Sequence, residues 1–292
     1  MAVLVGIDEA GYGPLLGPLV VSSTCFQVKD HHIETDWWKM LNKSVSKEKR
    51  RLLGRLLITD SKKAYSKSIG LKHLERTTLA CLKMNSKTYS TTEQLFKAVT
   101  ADSIDRLYEY PWHQKSNHIK IGANPDDISI AASAFKKDLQ SKGIKYLATN
   151  IRCLDVAHYN KLVEKVKNKA NVLFSTTAEL IKQAFDNTTD TNIQIIVDRQ
   201  GGRTHYWRNL QTMFGDLELT ILKESENISS YQLNSPQKSM KIHFIVKADE
   251  RFLPVSLASM QSKYLRELLI GNINRYFQSY YPQLKPTAGY WK

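Results

Sequence analysis

The first 28 residues restrict the fold most, because two apolar, β-branched runs flank a loop of glycine and proline. The run AVLVGID ends in Asp8, with Glu9 after it, and the run LVVSSTCFQV begins at Leu19. The intervening GYGPLLGP cannot form the interior of a helix, since glycine and proline interrupt it. The pattern therefore predicts a β-hairpin with an elaborate loop, whose first strand lies in the centre of a sheet.

Strand-like and helix-like patterns alternate along the rest of the chain. Strands are predicted at IKYLATNIRCL, TNIQIIVD, LELTILKE and MKIHFIV, and helices at residues 70–84, 156–185 and 254–277. The basic stretch KMLNKSVSKEKRRLLGRLL also shows leucines at helical spacing. Strands separated by helices favour an α/β fold with a mixed sheet. Residues 85–140 are polar and mixed in composition, and we interpret them as an insertion.

Three of the predicted strands end in carboxylates: Asp8 with Glu9, Asp198, and Asp249 with Glu250. Adjacent strands of an open α/β sheet deliver their terminal side chains to one crevice. Carboxylates gathered there repel each other unless cations neutralise them, and Mg²⁺ or Mn²⁺ prefers oxygen ligands. Two such ions can promote phosphodiester hydrolysis. A second interpretation stays open, because an acid at a strand end is often a turn former or a helix N-cap.

The charge of the chain indicates a polyanionic partner. With 42 Lys and Arg against 28 Asp and Glu, the formal net charge is +14. Such a basic surface favours nucleic acid ahead of membrane, with a merely solvated basic face as the alternative. The apolar runs fall short of a membrane span, and no secretory signal pattern is expected. Three widely spaced cysteines form no metal knuckle or disulfide framework, which favours a reducing cytoplasm.

Other motifs that would indicate a different chemistry are missing from the sequence. The glycines at positions 11, 13 and 17 miss the dinucleotide-binding spacing, and no P-loop lysine follows them. No serine occupies a G-x-S-x-G elbow, and no histidine pair has the HExxH spacing. Metal-dependent phosphoryl chemistry is the hypothesis that keeps the most support.

At the same residues the chain resembles a known family, the type 2 ribonucleases H. GIDEAGYGPLLGP (residues 6–18) matches the family's opening signature except at Tyr12, where the family usually has a basic residue. Later family motifs are matched in order by DSKK (60–63), IIVDRQGG (195–202), KAD (247–249) and SLASMQSK (256–263). Arg199 replaces a family glycine in the second of these. The matches span residues 5 to about 267 of this chain.

The resemblance implies a ribonuclease-H-like α/β fold: a mixed five-stranded central sheet flanked by helices, with a helical C-terminal part. The catalytic domain would cover residues 1–270, with the insertion near 85–140, and residues 271–292 would form a C-terminal segment that contacts substrate. The implied substrate is RNA in RNA/DNA hybrids, or ribonucleotides embedded in duplex DNA, cut to leave 3′-hydroxyl and 5′-phosphate ends. No membrane partner is implied, and the sequence is silent on accessory subunits.

The resemblance also implies roles for single residues. The catalytic and metal-binding residues, which would hold two Mg²⁺ or Mn²⁺ ions, would be Asp8, Glu9, Asp198 and Asp249. The substrate-binding residues would be Gly11, Tyr12, Gly13, Ser61, Lys62, Lys63, Lys263 and Tyr290. A backbone without side chains can approach the ribose 2′-hydroxyl closely, which accounts for the glycines. An exposed basic turn remains the alternative for Lys63.

Two further hypotheses stay open beside the endoribonuclease. The first is a nucleic-acid-binding protein that kept this fold and lost the chemistry, which the departures at Tyr12 and Arg199 would favour. All four carboxylates are nevertheless present. The second is a metal nuclease of the same fold that acts on a different nucleic acid, such as a DNA junction. Cleavage assays on matched substrates separate all three.

Overall fold

A computed structural model describes residues 1–66, 68–114 and 119–290 of the chain. Its strands are β1 (Ala2–Ala10), β2 (Leu19–Val28), β3 (Val45–Ser46), β4 (Leu56–Leu57), β5 (Lys145–Leu154), β6 (Asn192–Asp198), β7 (Glu218–Glu224), β8 (Ile228–Asn234) and β9 (Ser239–Ile245). Its helices are α1 (Trp37–Met40), α2 (Ser61–Ala64), α3 (Lys72–Met84), α4 (Thr92–Val99), α5 (Ile104–Tyr108), α6 (Pro125–Ser141), α7 (Val156–Val166), α8 (Lys169–Asn187), α9 (Trp207–Met213) and α10 (Leu253–Tyr280).

The main sheet has seven strands in the order β5-β2-β1-β6-β9-β8-β7. β1 pairs antiparallel with β2 and parallel with β6, and β6 pairs parallel with β9. Successive residues of β1 alternate between the two faces, so Val3 and Val5 join one core while Ala2 and Leu4 join the other. The predicted hairpin and the central position of its first strand are confirmed.

Helices cover both faces of this sheet, as the predicted α/β class requires. α3, α6 and α10 pack on one face, and α8 and α9 pack on the other. The contact between β1 and α10 is made by backbone, because a Cβ on Gly6 would lie 2.3 Å from the carbonyl carbon of Pro254. Gly6 is therefore required for packing, and α10 crosses directly beneath the strand that carries Asp8.

Two details differ from the sequence-based expectations. The sheet has seven strands and not five, because β7 and β8 extend it beyond β9. The sequence ISSYQLN gave no strand signal for β8, since polar residues fill most of its positions, although Tyr231 and Leu233 are fully buried. The basic stretch at residues 39–57 begins in the short helix α1 and then forms turns and the short parallel pair β3–β4, in place of one helix along its length. Its leucines do not share one face, as Leu56 is buried while Leu53 is 88% exposed.

The segment at 85–140 contributes to the common core. Ile128, Phe135 and Leu139 of α6 are buried in the same cluster as residues of α3 and α10. Residues 115–118 of this segment lie outside the described residues, as do 291–292 of the predicted C-terminal segment. α10 runs without a break across residue 270, so the proposed boundary there falls within a helix. Whether 85–140 is an insertion, and where the domains divide, stay predictions.

Two further expectations concern the environment of the chain. Within residues 1–66, 68–114 and 119–290, no helix is both long and apolar enough to cross a membrane. The three cysteines, Cys25, Cys81 and Cys153, are buried and free.

Candidate functional site

The four predicted acids lie together at one edge of the sheet. Asp8 and Glu9 lie near the end of β1, and Asp198 is the last residue of β6. Asp249 lies in the 3-10 turn Ala248–Glu250, just after β9. Because β1, β6 and β9 are neighbouring parallel strands, their ends meet. Glu250, next to Asp249, pairs with Lys63, and its charge still raises the pKa of Asp249.

The charges of these four side chains interact strongly. Burial, followed by the charges of Glu9 and Asp198, raises the pKa of Asp8 well above its usual range. Burial and the charge of Asp198 raise the pKa of Glu9 to about 8. Burial and the charge of Asp249 raise the pKa of Asp198 to about 6. The pKa of Asp249 is also raised, by burial first and then by Asp60. Without a cation, burial first and mutual repulsion second therefore disfavour the ionised forms of these acids, and ionising all four would leave negative charge that their surroundings do not balance.

Part of the cluster also makes local backbone bonds, as the turn-former interpretation expects. The amide of Glu9 donates to Asp8 Oδ1 at 2.7 Å, and the amide of Ala248 donates to Asp198 Oδ1 at 2.7 Å. In the described part of the chain, no three His, Cys, Asp or Glu side chains form a group that could hold a metal ion. The oxygen donors and the unbalanced charge fit a divalent cation, but these side chains do not form a closed ligand set.

Three serines of α10 hold the acids in place. Ser256 donates to the carbonyl of Asp249, and Ser262 donates to the carbonyl of Asp8 at 3.0 Å. Ser259 contacts Ser61 at 3.1 Å, and its hydrogen bond lowers the pKa of Asp8 against the effect of burial. The serines are buried and spaced by three, so they share one helix face. Sequence reasoning missed this role, although the spacing in SLASMQSK was its signal.

The other predicted substrate-binding residues, Ser61, Lys62, Lys63 and Lys263, occupy different surroundings. Ser61 is buried beside the acids, and the charge of Lys62 lowers the pKa of Glu9 and Asp198. Lys63 lies at the rim, where its Nζ is 2.9 Å from Glu250 Oε1. Lys263 is 2.7 Å from Glu267 Oε1 and lies over the ring of Tyr65. The structure thus brings Ser61 and Lys62 to the acids, and it pairs Lys63 and Lys263 with other carboxylates.

The glycine-rich loop (residues 11–18) meets the tail that follows α10 (residues 281–290). The amides of Leu15 and Leu16 both donate to the carbonyl of Gly289, at 2.8 and 3.1 Å. A Cβ on Gly13 would lie 3.9 Å from the Tyr290 ring, an ordinary contact distance. Gly13 is exposed and Tyr290 is 55% exposed, so both are open to a ligand. The structure brings these two predicted substrate-binding residues together.

Residues without a predicted role prove to be structural. Arg199 donates to the carbonyls of Ser225 and Glu226. These two hydrogen bonds hold the connection between β7 and β8. Buried Gln200 donates to Thr177 Oγ1 at 2.5 Å. Tyr12, which has a predicted substrate-binding role, lies near the loop that follows β6, where its ring would be 3.9 Å from a Cβ on Gly201. The family departure at Arg199 therefore has a structural reason and removes no group from the acid cluster.

Residues 5–133 match a family model described as Ribonuclease HII. Over these residues the chain is similar to the type 2 ribonuclease H family. The match covers the acid pair of β1, the glycine-rich loop and DSKK, and it supports a ribonuclease H-type nuclease. The resemblance expected from the motifs is confirmed.

Solved structures of ribonucleases H are similar to this chain at low identity. The Archaeoglobus fulgidus PCNA:RNase HII complex matches at 16% identity and TM-score 0.41, over 98% of this chain and 80% of that one. The Pyrococcus horikoshii OT3 ribonuclease H2 matches at 14% and 0.40, over 99% and 81%. Bst-RNase HIII in complex with Mn²⁺ matches at 14% and 0.42, over 94% and 55%. No curated protein matches the chain.

Proposed function

We propose that this protein is a divalent-metal-dependent endoribonuclease. Its substrate would be RNA in RNA/DNA hybrids, or ribonucleotides embedded in duplex DNA, and cleavage would leave 3′-hydroxyl and 5′-phosphate ends. One observation carries the proposal: four mutually repelling carboxylates lie at the ends of three parallel strands, beside a basic residue and a glycine-rich loop. The match of residues 5–133 to the Ribonuclease HII family supports the nuclease chemistry.

In this proposal Asp8, Glu9, Asp198 and Asp249 hold Mg²⁺ or Mn²⁺. Bound divalent ions would activate water and neutralise the charge that develops on the phosphate. The protein's own contribution is to keep oxygen ligands buried at one point, at a cost that the raised pKa values of these acids reflect. Ser259 hydrogen-bonds to the side chain of Asp8, and Ser262 donates to its backbone carbonyl. Because α10 fixes Asp8 in this way, this ligand would need little reorganisation when a cation binds.

The glycine-rich loop would supply the preference for ribose. Gly13 is exposed, and among the described residues the only group within 4 Å of a Cβ there would be the Tyr290 ring, so its backbone can approach a sugar 2′-hydroxyl. Gly11 and Tyr12 would extend this backbone surface, and Tyr290 would pack against the sugar. The four remaining predicted contacts, Ser61, Lys62, Lys63 and Lys263, would bind phosphates. Lys63 and Lys263 would then exchange their carboxylate partners for phosphate oxygens.

The net charge of +14 favours a nucleic-acid partner and association that weakens with salt. The buried, free cysteines are compatible with a reducing compartment, and a cytoplasmic location remains a prediction.

The proposal is tested by cleavage of four matched duplexes: RNA/DNA hybrid, DNA with one ribonucleotide, all-RNA and all-DNA. We expect cuts in the first two with Mg²⁺ or Mn²⁺ and none in EDTA. Cleavage of all-DNA duplex at the hybrid rate would favour a nuclease of different specificity. Binding without cleavage under every metal condition would favour the catalytically silent alternative.

A further inference from the structure

Arg266 of α10 is a buried cation that contacts two separate parts of the chain. Its side chain is 1% exposed. Nη2 donates to the carbonyl of Leu16 in the glycine-rich loop at 3.1 Å, and to the carbonyl of Ala288 in the tail at 3.2 Å. The Tyr290 ring lies 5.9 Å from the guanidinium carbon. One side chain therefore joins the loop that follows Glu9 to the tail that carries Tyr290.

The glycines near this guanidinium show that the chain makes room for it. Gly11, Gly17 and Gly289 all have positive φ, of 102°, 87° and 86°. A Cβ would lie 3.0 Å from Arg266 Nε at Gly11 and 2.8 Å from Nη2 at Gly289, although backbone oxygens would be closer still at both positions. At Gly17 the close neighbour is Ile270, and Arg266 Nη2 would be at an ordinary 3.7 Å. Two left-handed glycines, one from the loop and one from the tail, thus lie tightly against one arginine. Gly13 differs, because its Cα faces Tyr290 and not the guanidinium.

Burial of this charge is only partly compensated. Among the described residues, Nε and Nη1 of Arg266 have no hydrogen-bond partner, and the nearest carboxylate oxygen is Glu267 Oε1 at 3.5 Å from Nη1. That carboxylate also binds Lys263 at 2.7 Å. A buried, incompletely paired cation is costly for stability. A residue retained at such a position is better explained by the geometry that it fixes than by the stability that it adds.

We propose that Arg266 is a positioning residue that joins the glycine-rich loop to the tail, so that the backbone at Gly11–Gly13 and the Tyr290 ring present one surface to the substrate sugar. The part of this proposal that concerns the substrate sugar rests on the proposed function. The part that concerns the joining of loop to tail does not. Other α10 residues hold the tail alone: Asn274 exchanges two hydrogen bonds with Thr287, and Gln278 donates to Leu284.

The first test follows the loop without any substrate. Amide exchange of Leu15 and Leu16, measured by NMR, reports the two bonds to Gly289. Arg266→Met should speed exchange of both amides by about tenfold or more, while amides of β1 stay protected. Gln278→Ala, which removes a contact to the tail alone, should leave them protected. Unchanged exchange in Arg266→Met, or equal loss in Gln278→Ala, would overturn the proposal.

A second variant keeps the test decisive if Arg266→Met does not fold. Gly289→Ala leaves the arginine in place but puts a Cβ 2.6 Å from the Leu16 carbonyl, at a backbone angle unfavourable for alanine. It should expose the same two amides. Gly122→Ala is the matched control, because its nearest neighbour would be 3.7 Å away, and it should change nothing. Protection of Leu15 and Leu16 in Gly289→Ala would refute the joining of loop to tail.

The third test asks whether Arg266 acts through Tyr290. In single-turnover cleavage of the single-ribonucleotide duplex, we expect Arg266→Met and Tyr290→Ala each to slow the reaction by about tenfold or more. The double variant should be hardly slower than either, because both changes disrupt one surface. Multiplicative losses would show that the two residues act independently. If wild type cleaves no ribose-containing duplex, the proposed function fails, while amide exchange still decides whether Arg266 joins loop and tail.

Discussion

Replacing Asp198 by asparagine removes one charge from the acid cluster while keeping the side-chain shape. Burial and Asp249 raise the pKa of Asp198 from 3.8 to about 6. Each pKa unit corresponds to about 1.36 kcal/mol, so ionisation of Asp198 in the folded protein costs up to about 3 kcal/mol. Asparagine keeps an oxygen that can accept from the Ala248 amide, although losing the charge-assisted bond costs about 1 kcal/mol. Without metal, Asp198→Asn should stabilise the fold by about 1–2 kcal/mol near pH 8.

The sign of the pH dependence follows from the direction of the pKa shift. Because the folded pKa of Asp198 lies above its unfolded value, the folded state binds more protons between about pH 4 and 6. Wild-type stability contributed by this group therefore falls as the pH rises through that window. Near pH 4 the carboxyl is protonated in the folded protein, so the advantage of Asp198→Asn should shrink by about 2 kcal/mol.

The assay is urea unfolding in EDTA near pH 8 and pH 4, repeated near pH 8 with Mg²⁺. Asp216→Asn makes the same chemical change at an exposed position and should show no such pH-dependent gain. Mg²⁺ should stabilise wild type more than Asp198→Asn, because a ligand that binds only the folded state adds stability. The same variant should lose Mg²⁺-dependent cleavage. An Asp198→Asn protein that is less stable than wild type at both pH values would refute the electrostatic reasoning and favour a structural role for this acid.

Three other expectations concern the substrate. Tyr12→Arg should strengthen binding or cleavage of a single embedded ribonucleotide without creating activity on all-DNA duplex, because a charge-assisted bond to phosphate contributes about 1.5–3 kcal/mol; unchanged affinity in a binding titration would contradict it. Gly13→Ala should fold normally, since in the described part of the chain its Cβ would meet only Tyr290, at 3.9 Å. The variant should nevertheless cleave every ribose-containing duplex more slowly. Cleavage at wild-type rates would show that the loop does not recognise the sugar. Binding of an uncleavable hybrid should fall with salt at a log–log slope of several units, and neutralising lysines within 85–140 should lower that slope only if the segment touches nucleic acid.

Local patterns were sufficient to predict β1, β2, β5, β6, β7 and β9. Their apolar, β-branched runs are bounded by turn residues, and that signal does not depend on distant contacts. The strand β8 was not predicted, because its polar residues Ser229 and Ser230 do not resemble a buried strand. They are buried only by the neighbouring strands of the folded sheet. Likewise, the leucines at residues 41–57 have helical spacing, but burial of Leu56 and exposure of Leu53 follow from tertiary packing.

The candidate acids were predictable for a comparable reason. A carboxylate at the end of an apolar run is visible in the sequence, and the parallel neighbours β1, β6 and β9 necessarily bring their ends to one edge. The sequence could not show that Ser256, Ser259 and Ser262 would contact two of those acids from α10. That contact depends on the close approach of β1 to α10, which Gly6 permits.

The sequence by itself determined most of the strand runs, the hairpin, the acids at strand ends and the family resemblance, because these are encoded in short, local patterns of residue type. Tertiary structure decided how the glycines of the opening motif divide. Gly11 lies against the buried Arg266 and Gly17 lies against Ile270 of the same helix, while Gly13 is exposed beside Tyr290. In sequence, Arg266 is one of many basic residues on a helix, and its burial arises only when loop, helix and tail fold against one another. Whether a charged side chain is buried or exposed depends on the residues around it, and only the folded chain brings those residues together.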